Sequence, residues 1–295
     1  MQPIKKVFVV GSGLMGGGIA QVAAVAGNEV VMHDVSTDRT DLGMAAIRKS
    51  LERFLAKDKI SQDQFDGALA RLTPTTSLED AADCDLVVEA VFENIDVKRE
   101  VFGTLDRVCP EHTILASNTS AIPISSIAGA TRRPGKVVGT HFFSPVPMMR
   151  LCEIITGVQT SAETMDAAEA WARSVGKTTV RVLKDHAGFI ANRIFLPMIM
   201  EAIHVLEAGV AAPVDIDTTM KLGFNHPMGP LELADAIGID VLQNATTAVY
   251  LDTQDHKFSP PPLMKRMVAA GLFGRKSGRG FYDYSSGEQV SYWKQ

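Results

Sequence analysis

Short apolar runs rich in β-branched residues recur along the first part of the chain, at 6–10, 29–33, 86–91, 113–117, 137–142 and 151–156, with amphipathic stretches between them. That alternation predicts a parallel sheet with crossover helices. Between the second and third runs, residues 40–72 form a polar helical pattern rich in Lys, Arg, Asp and Ala, an insertion longer than a crossover needs. A helix over 162–174 and a last strand over 177–183 complete this part. Beyond Asp185 the strand runs cease and helical periodicity dominates at 189–207, 215–222, 231–251 and 262–270, with helix breakers in 223–229 and 259–262. The pattern predicts an α/β protein of two domains. A doubly wound, mostly parallel sheet occupies residues 1–184 and carries the helical insertion; a smaller all-α domain occupies 185–295.

Charge narrows the partners. A formal net charge of -5 over 295 residues gives no general attraction to nucleic acid or to an anionic membrane, so an anionic ligand has to be held by a local arrangement. Cys84, Cys109 and Cys152 fit no zinc or redox spacing, and their odd number argues against a disulfide framework; a reducing cytoplasm is the expected compartment. The apolar run at 7–10 is too short for the core of a secretory signal. Later apolar stretches are interrupted, as by Asn192 and Arg193, before they reach membrane-spanning length. Neither an HExxH pattern nor a paired-cysteine ligand set occurs, so no metal is expected. Ile194, Leu196, Ile199, Ile203 and Leu206 give the second domain more apolar helical surface than it readily hides. A homodimer through this domain is expected, with ordinary internal packing as the alternative.

Gly11-Ser12-Gly13-Leu14-Met15-Gly16 stands directly after the first strand and before the helical stretch 19–26, and Asp34 ends the second strand. A GxGxxG pattern alone is a weak signal, but in this context each glycine has a task. Gly11 makes the tight turn, Gly13 lets backbone approach a pyrophosphate, and Gly16 lets helix and strand pack closely. Leu14 and Met15 begin the helix, whose unpaired N–H groups and dipole suit the anion. Asp34 can accept hydrogen bonds from the adenosine ribose hydroxyls and would repel a 2′-phosphate, which predicts NAD rather than NADP on a Rossmann-type sheet.

Ligands of open α/β sheets sit beyond the carboxyl ends of the strands. Two sets of polar residues fall there: Asn118-Thr119-Ser120 after the run 113–117, and His141 near the end of the run 137–142. An imidazole titrates near neutral pH and can take the proton of an alcohol that loses hydride to a nicotinamide. Twelve residues on, Glu153 interrupts the apolar Leu151-Cys152-Glu153-Ile154-Ile155, where a carboxylate is costly to bury alone. A glutamate hydrogen-bonded to the far nitrogen of His141 would fix its tautomer and stabilise its charged form. The competing reading is a core histidine and a surface-facing glutamate.

Seven segments, GSGLMG, VVEAVFEN, ILASNTS, THFFSPVPMMRLCEII, AGFIANR, KLGFNHPMGPLELAD and GRKSGRGFYDY, occur in the order and spacing of the 3-hydroxyacyl-CoA dehydrogenases and span essentially the whole chain. The chain resembles that family, and within it the bacterial enzymes of fatty acid metabolism that act on 3-hydroxybutyryl-CoA without a hydratase domain. The resemblance implies NAD-dependent, reversible oxidation of an (S)-3-hydroxyacyl-CoA. It implies that His141 is the general base, that Glu153 is its partner, and that Ser120 and Asn192 bind the reacting substrate oxygens. Glu93, Lys98 and Lys276 are implied to approach the cofactor, together with Ser120 and Ser144, while Ser50 and Lys57 are implied to contact the CoA moiety. Seven residues apart in the helical insertion, Ser50 and Lys57 would lie on one face, two turns apart. A dimer, and a cleft between domains that could close on substrate, are implied as well.

Departures from the family pattern are few. Ser144 replaces the Asn of HFFNP, with shorter reach, and Ala187 stands where Pro is usual, beside a one-residue insertion; His186 has no implied role. The same fold could act on a dicarboxylic substrate such as 3-hydroxyadipyl-CoA, or on a free hydroxy acid or polyol. A non-enzymatic nucleotide sensor or structural protein is disfavoured by the joint presence of His141, Glu153, Ser120 and Asn192.

Overall fold

The structure, a computed structural model, describes residues 3–287, 289–291 and 293. The chain divides into two compact units, Met1–Phe189 and Ile190–Gln295. In the first, β1 (Lys6–Val10) passes through the glycine turn into α1 (Leu14–Val25). It is followed by β2 (Glu29–His33), α2 (Thr37–Leu55), α3 (Gln62–Ala70), β3 (Leu72–Thr75), β4 (Leu86–Glu89) and α4 (Ile95–Val108). Then come β5 (Ile114–Ser117), α5 (Ile124–Ala128), β6 (Val137–Phe142), β7 (Leu151–Thr156), α6 (Ala162–Ser174) and β8 (Thr178–Val182). The eight strands form one sheet in the order β3-β2-β1-β4-β5-β6-β7-β8. Every neighbouring pair is parallel except β6 and β7.

Helices cover both faces, which is why the strands read as continuous apolar runs rather than alternating ones. Val7 and Val9 of β1 share a core with Ile47 and Leu51 of α2 and Trp171 of α6. Phe8 and Val10, one residue out of phase, belong to the opposite core with Phe102 of α4 and Ile127 of α5.

The expected helical insertion is two helices and a strand. The first helix stops at Leu55 with Ala56 as C-cap, Asp58 takes a left-handed φ of 52°, and Ser61 restarts the chain with a capping box to Gln64. Residues 72–75 then add β3 to the edge of the sheet beside β2. Its sequence, LTPT, carries no strand signal, and Pro74 is tolerated there because an edge position needs no donor on its outer side.

The second unit contains α7 (Ala191–Glu207), α8 (Pro213–Phe224), α9 (Pro230–Ile237), α10 (Ile239–Thr253) and α11 (Pro262–Ala269). The expected single helix over 231–251 is broken into α9 and α10 at Gly238, whose φ of 111° suits glycine alone. Two buried carboxylates pin this unit together. Asp217 accepts the N–H groups of Leu231 (2.8 Å) and Glu232 (2.9 Å) at the start of α9, and the Tyr282 hydroxyl at 2.6 Å. Asp235 accepts the N–H groups of Phe281 (2.8 Å) and Tyr282 (2.9 Å) and the Tyr284 hydroxyl at 3.0 Å. These bonds give the LELAD and GFYDY segments a structural task. No helix of the described residues is long and apolar enough to cross a membrane.

Candidate active site

The glycine turn is shaped by contact. A Cβ on Gly16 would stand 1.8 Å from the Gly11 carbonyl oxygen, and one on Gly11, itself at φ 100°, would stand 2.7 Å from the carbonyl oxygen of Ala90. On Gly13 it would meet nothing within 4 Å, so that side of the turn is open. Helix α1 starts at Leu14 and Met15 with no side-chain cap and no acidic residue in its first turn, leaving its first N–H groups and positive dipole end for an anion. Asp34, at the end of β2, accepts Ser12 N–H and Ser12 Oγ, each at 2.8 Å, and Val35 N–H at 2.8 Å. Burial pushes this carboxyl up, but the bonds from Ser12 and Val35 and the charge of Arg39 outweigh it and hold the group below the ordinary carboxylate value. Gly13 and Asp34 line a cavity of about 480 Å³ together with Arg39, Ser50 and Arg53 of the following helix region and Val146 of the loop after β6. An open glycine, an uncapped helix start and an ionised strand-end carboxylate fit a dinucleotide.

The antiparallel register places His141 of β6 directly opposite Glu153 of β7. Cross-strand neighbours share a face, and here Nδ1 of His141 and Oε2 of Glu153 are 2.7 Å apart. Both residues are buried, at 6% and 1% exposure, so the alternative of a surface-facing glutamate is excluded by position. The rings of Phe143 and Phe189 flank the imidazole, with centroids 4.5 and 5.7 Å away. Phe189 holds a left-handed φ of 48°, an unusual conformation for a bulky residue.

Between these two parts stand Glu93 and Ser120. Glu93 Oε1 accepts Thr119 Oγ1 (2.6 Å), Ser120 N–H (2.8 Å), Ala121 N–H (3.0 Å) and Ser120 Oγ (3.3 Å), while its Oε2 lies 3.4 Å from Lys98 Nζ. Burial raises the Glu93 carboxyl, but Lys98 and these bonds prevail and its value is lowered. Lys98 is itself enclosed, at 1% exposure. Ser144 is exposed just beyond β6. Lys57 lies in the turn past Ala56, outside the helix that carries Ser50, so a two-turn helical spacing does not relate them. Asn192 occupies the first turn of α7 and Lys276 pairs with Asp240 at 2.6 Å, both in the second unit.

Asn118, expected from the sequence among the polar residues beyond β5, has a tying role at this edge, and Lys177 and Glu89 join it without any role drawn from the sequence. Asn118 Oδ1 accepts Phe142 N–H at 2.9 Å and so ties the loop after β5 to the end of β6. Lys177, whose value burial lowers, donates to the carbonyl oxygens of Val146 (2.5 Å) and Met149 (2.9 Å) and holds the β6–β7 loop. Glu89, at the end of β4, is fully buried. The signal for it was the one that revealed Glu153, an acid inside an apolar strand. Burial pushes the Cys84 thiol up to about 12 and that of Cys109 to about 11, which makes them poor nucleophiles. Among the described residues no group of three or more His, Cys, Asp or Glu side chains is placed to hold a metal.

A dinucleotide cradle and a buried imidazole–carboxylate pair at the carboxyl edge of one sheet define a nicotinamide-linked dehydrogenase. Residues 6–186 match the model of the 3-hydroxyacyl-CoA dehydrogenase NAD binding domain, and residues 188–284 match that of the family's C-terminal domain. The chain belongs to the 3-hydroxyacyl-CoA dehydrogenase family, and its cofactor is NAD. It is 46% identical to the 3-hydroxybutyryl-CoA dehydrogenase of Bradyrhizobium diazoefficiens, over 97% of this chain and 98% of that one. The human mitochondrial hydroxyacyl-coenzyme A dehydrogenase is 42% identical, over 95% of this chain and 91% of its own. The crystal structure of (S)-3-hydroxybutyryl-CoA dehydrogenase from Ralstonia eutropha matches with a TM-score of 0.92 at 46% identity, covering 96% of this chain and 99% of that one.

Proposed function

We propose that this enzyme interconverts short-chain (S)-3-hydroxyacyl-CoA and 3-oxoacyl-CoA, with 3-hydroxybutyryl-CoA as its main substrate and His141 as general base. The observation that carries this reading is the 2.7 Å pair between His141 and Glu153, enclosed at the carboxyl edge of the sheet. An ionised carboxylate only accepts, so Nδ1 carries the ring proton and the Nε2 lone pair is left to take the proton of the substrate hydroxyl. NAD, when bound, supplies the hydride acceptor. As His141 becomes charged, Glu153 compensates it; a buried charge without a partner would add several kcal/mol to the barrier. In the reductive direction the protonated ring donates to the developing oxyanion, and Ser120 and Asn192 are the further contacts to substrate oxygens.

The family pattern supports Glu93, Lys98, Ser144 and Lys276 as cofactor contacts and Ser50 and Lys57 as contacts to CoA. It supports the second unit as the substrate and dimerisation domain of a homodimer. Cysteines that are buried and free, in a family of fatty acid metabolism, support the cytoplasm as the compartment. Asp34→Ala is expected to relax the preference for NADH over NADPH by about tenfold, the worth of one charge-assisted contact. Steady-state kinetics with both cofactors check this, and unchanged discrimination counts against the ribose contact.

Rates with NADH on acetoacetyl-CoA, 3-oxodecanoyl-CoA, 3-oxoadipyl-CoA and free acetoacetate test the substrate. Acetoacetyl-CoA is expected to give the highest kcat/KM, and free acetoacetate almost none. A higher value for 3-oxoadipyl-CoA would move the enzyme to dicarboxylic substrates.

A further inference from the structure

Glu89 has no part in the roles above, yet it is the most enclosed acid at this edge of the sheet, 0% exposed and in contact with Lys98 at 1%. Its carboxylate joins three elements. Oε1 accepts Lys98 Nζ of α4 at 2.6 Å and the Val91 N–H beyond β4 at 2.7 Å, and Oε2 accepts the Ser117 hydroxyl at the end of β5 at 2.6 Å. From Ser117 the bonds run back to their origin. Ser117 Oγ accepts Thr119 N–H at 3.2 Å, Thr119 Oγ1 donates to Glu93 Oε1 at 2.6 Å, and Glu93 Oε2 faces the same Lys98 Nζ at 3.4 Å. A closed ring of five residues, completed through the backbone N–H of Thr119, thus underlies the turn that carries Ser120.

An ammonium this enclosed needs a full negative charge in contact. Glu89 provides it, which leaves Glu93 Oε1 for the N–H groups of Ser120 and Ala121. With residue 89 neutral, the remaining carboxylate facing Lys98 is Glu93. Drawn onto the ammonium, Glu93 would release the 119–121 turn. We propose that Glu89 is a positioning residue for the dehydrogenase reaction: by holding Lys98 it frees Glu93 to fix the 119–121 turn, and so sets where Ser120 stands. The inference rests on Ser120 being a substrate contact, as proposed above.

A double-mutant cycle on the full-length enzyme tests it. Glu89→Gln is expected to lower kcat/KM for acetoacetyl-CoA by about 10- to 100-fold, the scale of a misplacement of ~1 Å. Ser120→Ala should lower it too, and the double variant should be no slower than the slower single one, because both act through the same contact. A merely structural role would make the two losses multiply. Ser117→Ala opens the ring without removing a charge; a loss of about 3- to 10-fold, the worth of one neutral hydrogen bond, is expected, again without multiplying with Ser120→Ala. That variant decides the matter if Glu89→Gln does not fold. Losses that multiply in the cycles, or a folded Glu89→Gln with wild-type kcat/KM, overturn the proposal. A wild-type enzyme that turns over no 3-oxoacyl-CoA would instead overturn the functional reading on which it rests.

Discussion

Replacing His141 by alanine is expected to lower kcat by about 100- to 10,000-fold, the range that a positioned acid–base group contributes. Affinity for NADH should change little. The cradle is built by the β1–α1 turn and the end of β2, whereas His141 sits on β6 with Glu153 and two phenylalanine rings as neighbours. Fluorescence titration with NADH beside steady-state rates separates the two effects. A variant that binds NADH and still turns over at the wild-type rate would remove His141 from the reaction. A variant that fails to bind NADH would point to a wider collapse of the edge.

The largest stability effect is expected within the second unit. Asp235→Ala leaves the N–H groups of Phe281 and Tyr282 and the hydroxyl of Tyr284 without their acceptor. Each unmet buried donor costs about 1–3 kcal/mol, so the two buried N–H groups alone predict a loss of at least ~2 kcal/mol in urea unfolding, with early proteolysis of the C-terminal segment. Burial pushes the Asp235 carboxyl up to about 6, against the pull of the Phe281 and Tyr282 N–H groups and the Tyr284 hydroxyl. The folded value thus lies above the unfolded one of about 3.9, and the folded state binds more protons between them. This contribution is complete below about pH 3.9 and is lost as pH rises through about 6. The stability difference between wild type and variant should therefore shrink from about pH 4 to about pH 7. A difference that widens over that range would contradict the assignment.

Legibility in the sequence followed burial. Strands covered on both faces announce themselves as apolar runs, and β1, β2, β6 and β7 were readable to the residue. Glu153 was visible because an acid among Leu, Cys and Ile demands a partner. Its pairing partner was reachable by type, but the contact itself depends on β7 running antiparallel to β6, a reversal whose one signal is that the connection 143–150 is too short for a parallel crossover. An edge strand such as β3 is invisible for the opposite reason, since Leu72 is the one buried residue of LTPT and a single apolar position makes no run. Periodicity alone ran α2 and α3 together, because charged residues mask the Asp58 turn and the Ser61 cap. The ring around Glu89 joins residues as far apart as 89 and 117, and only the sheet order that sets β4 beside β5 brings them together.

In the proposed mechanism His141, held by Glu153, exchanges the proton of the substrate oxygen. A crystal structure of the enzyme with NAD and acetoacetyl-CoA measures this directly. Nε2 of His141 is expected within ~3.2 Å of the oxygen on the substrate's third carbon, with the Nδ1–Glu153 bond intact. That oxygen found beyond ~5 Å, with neither ring nitrogen nor a single bridging water in reach, would contradict it.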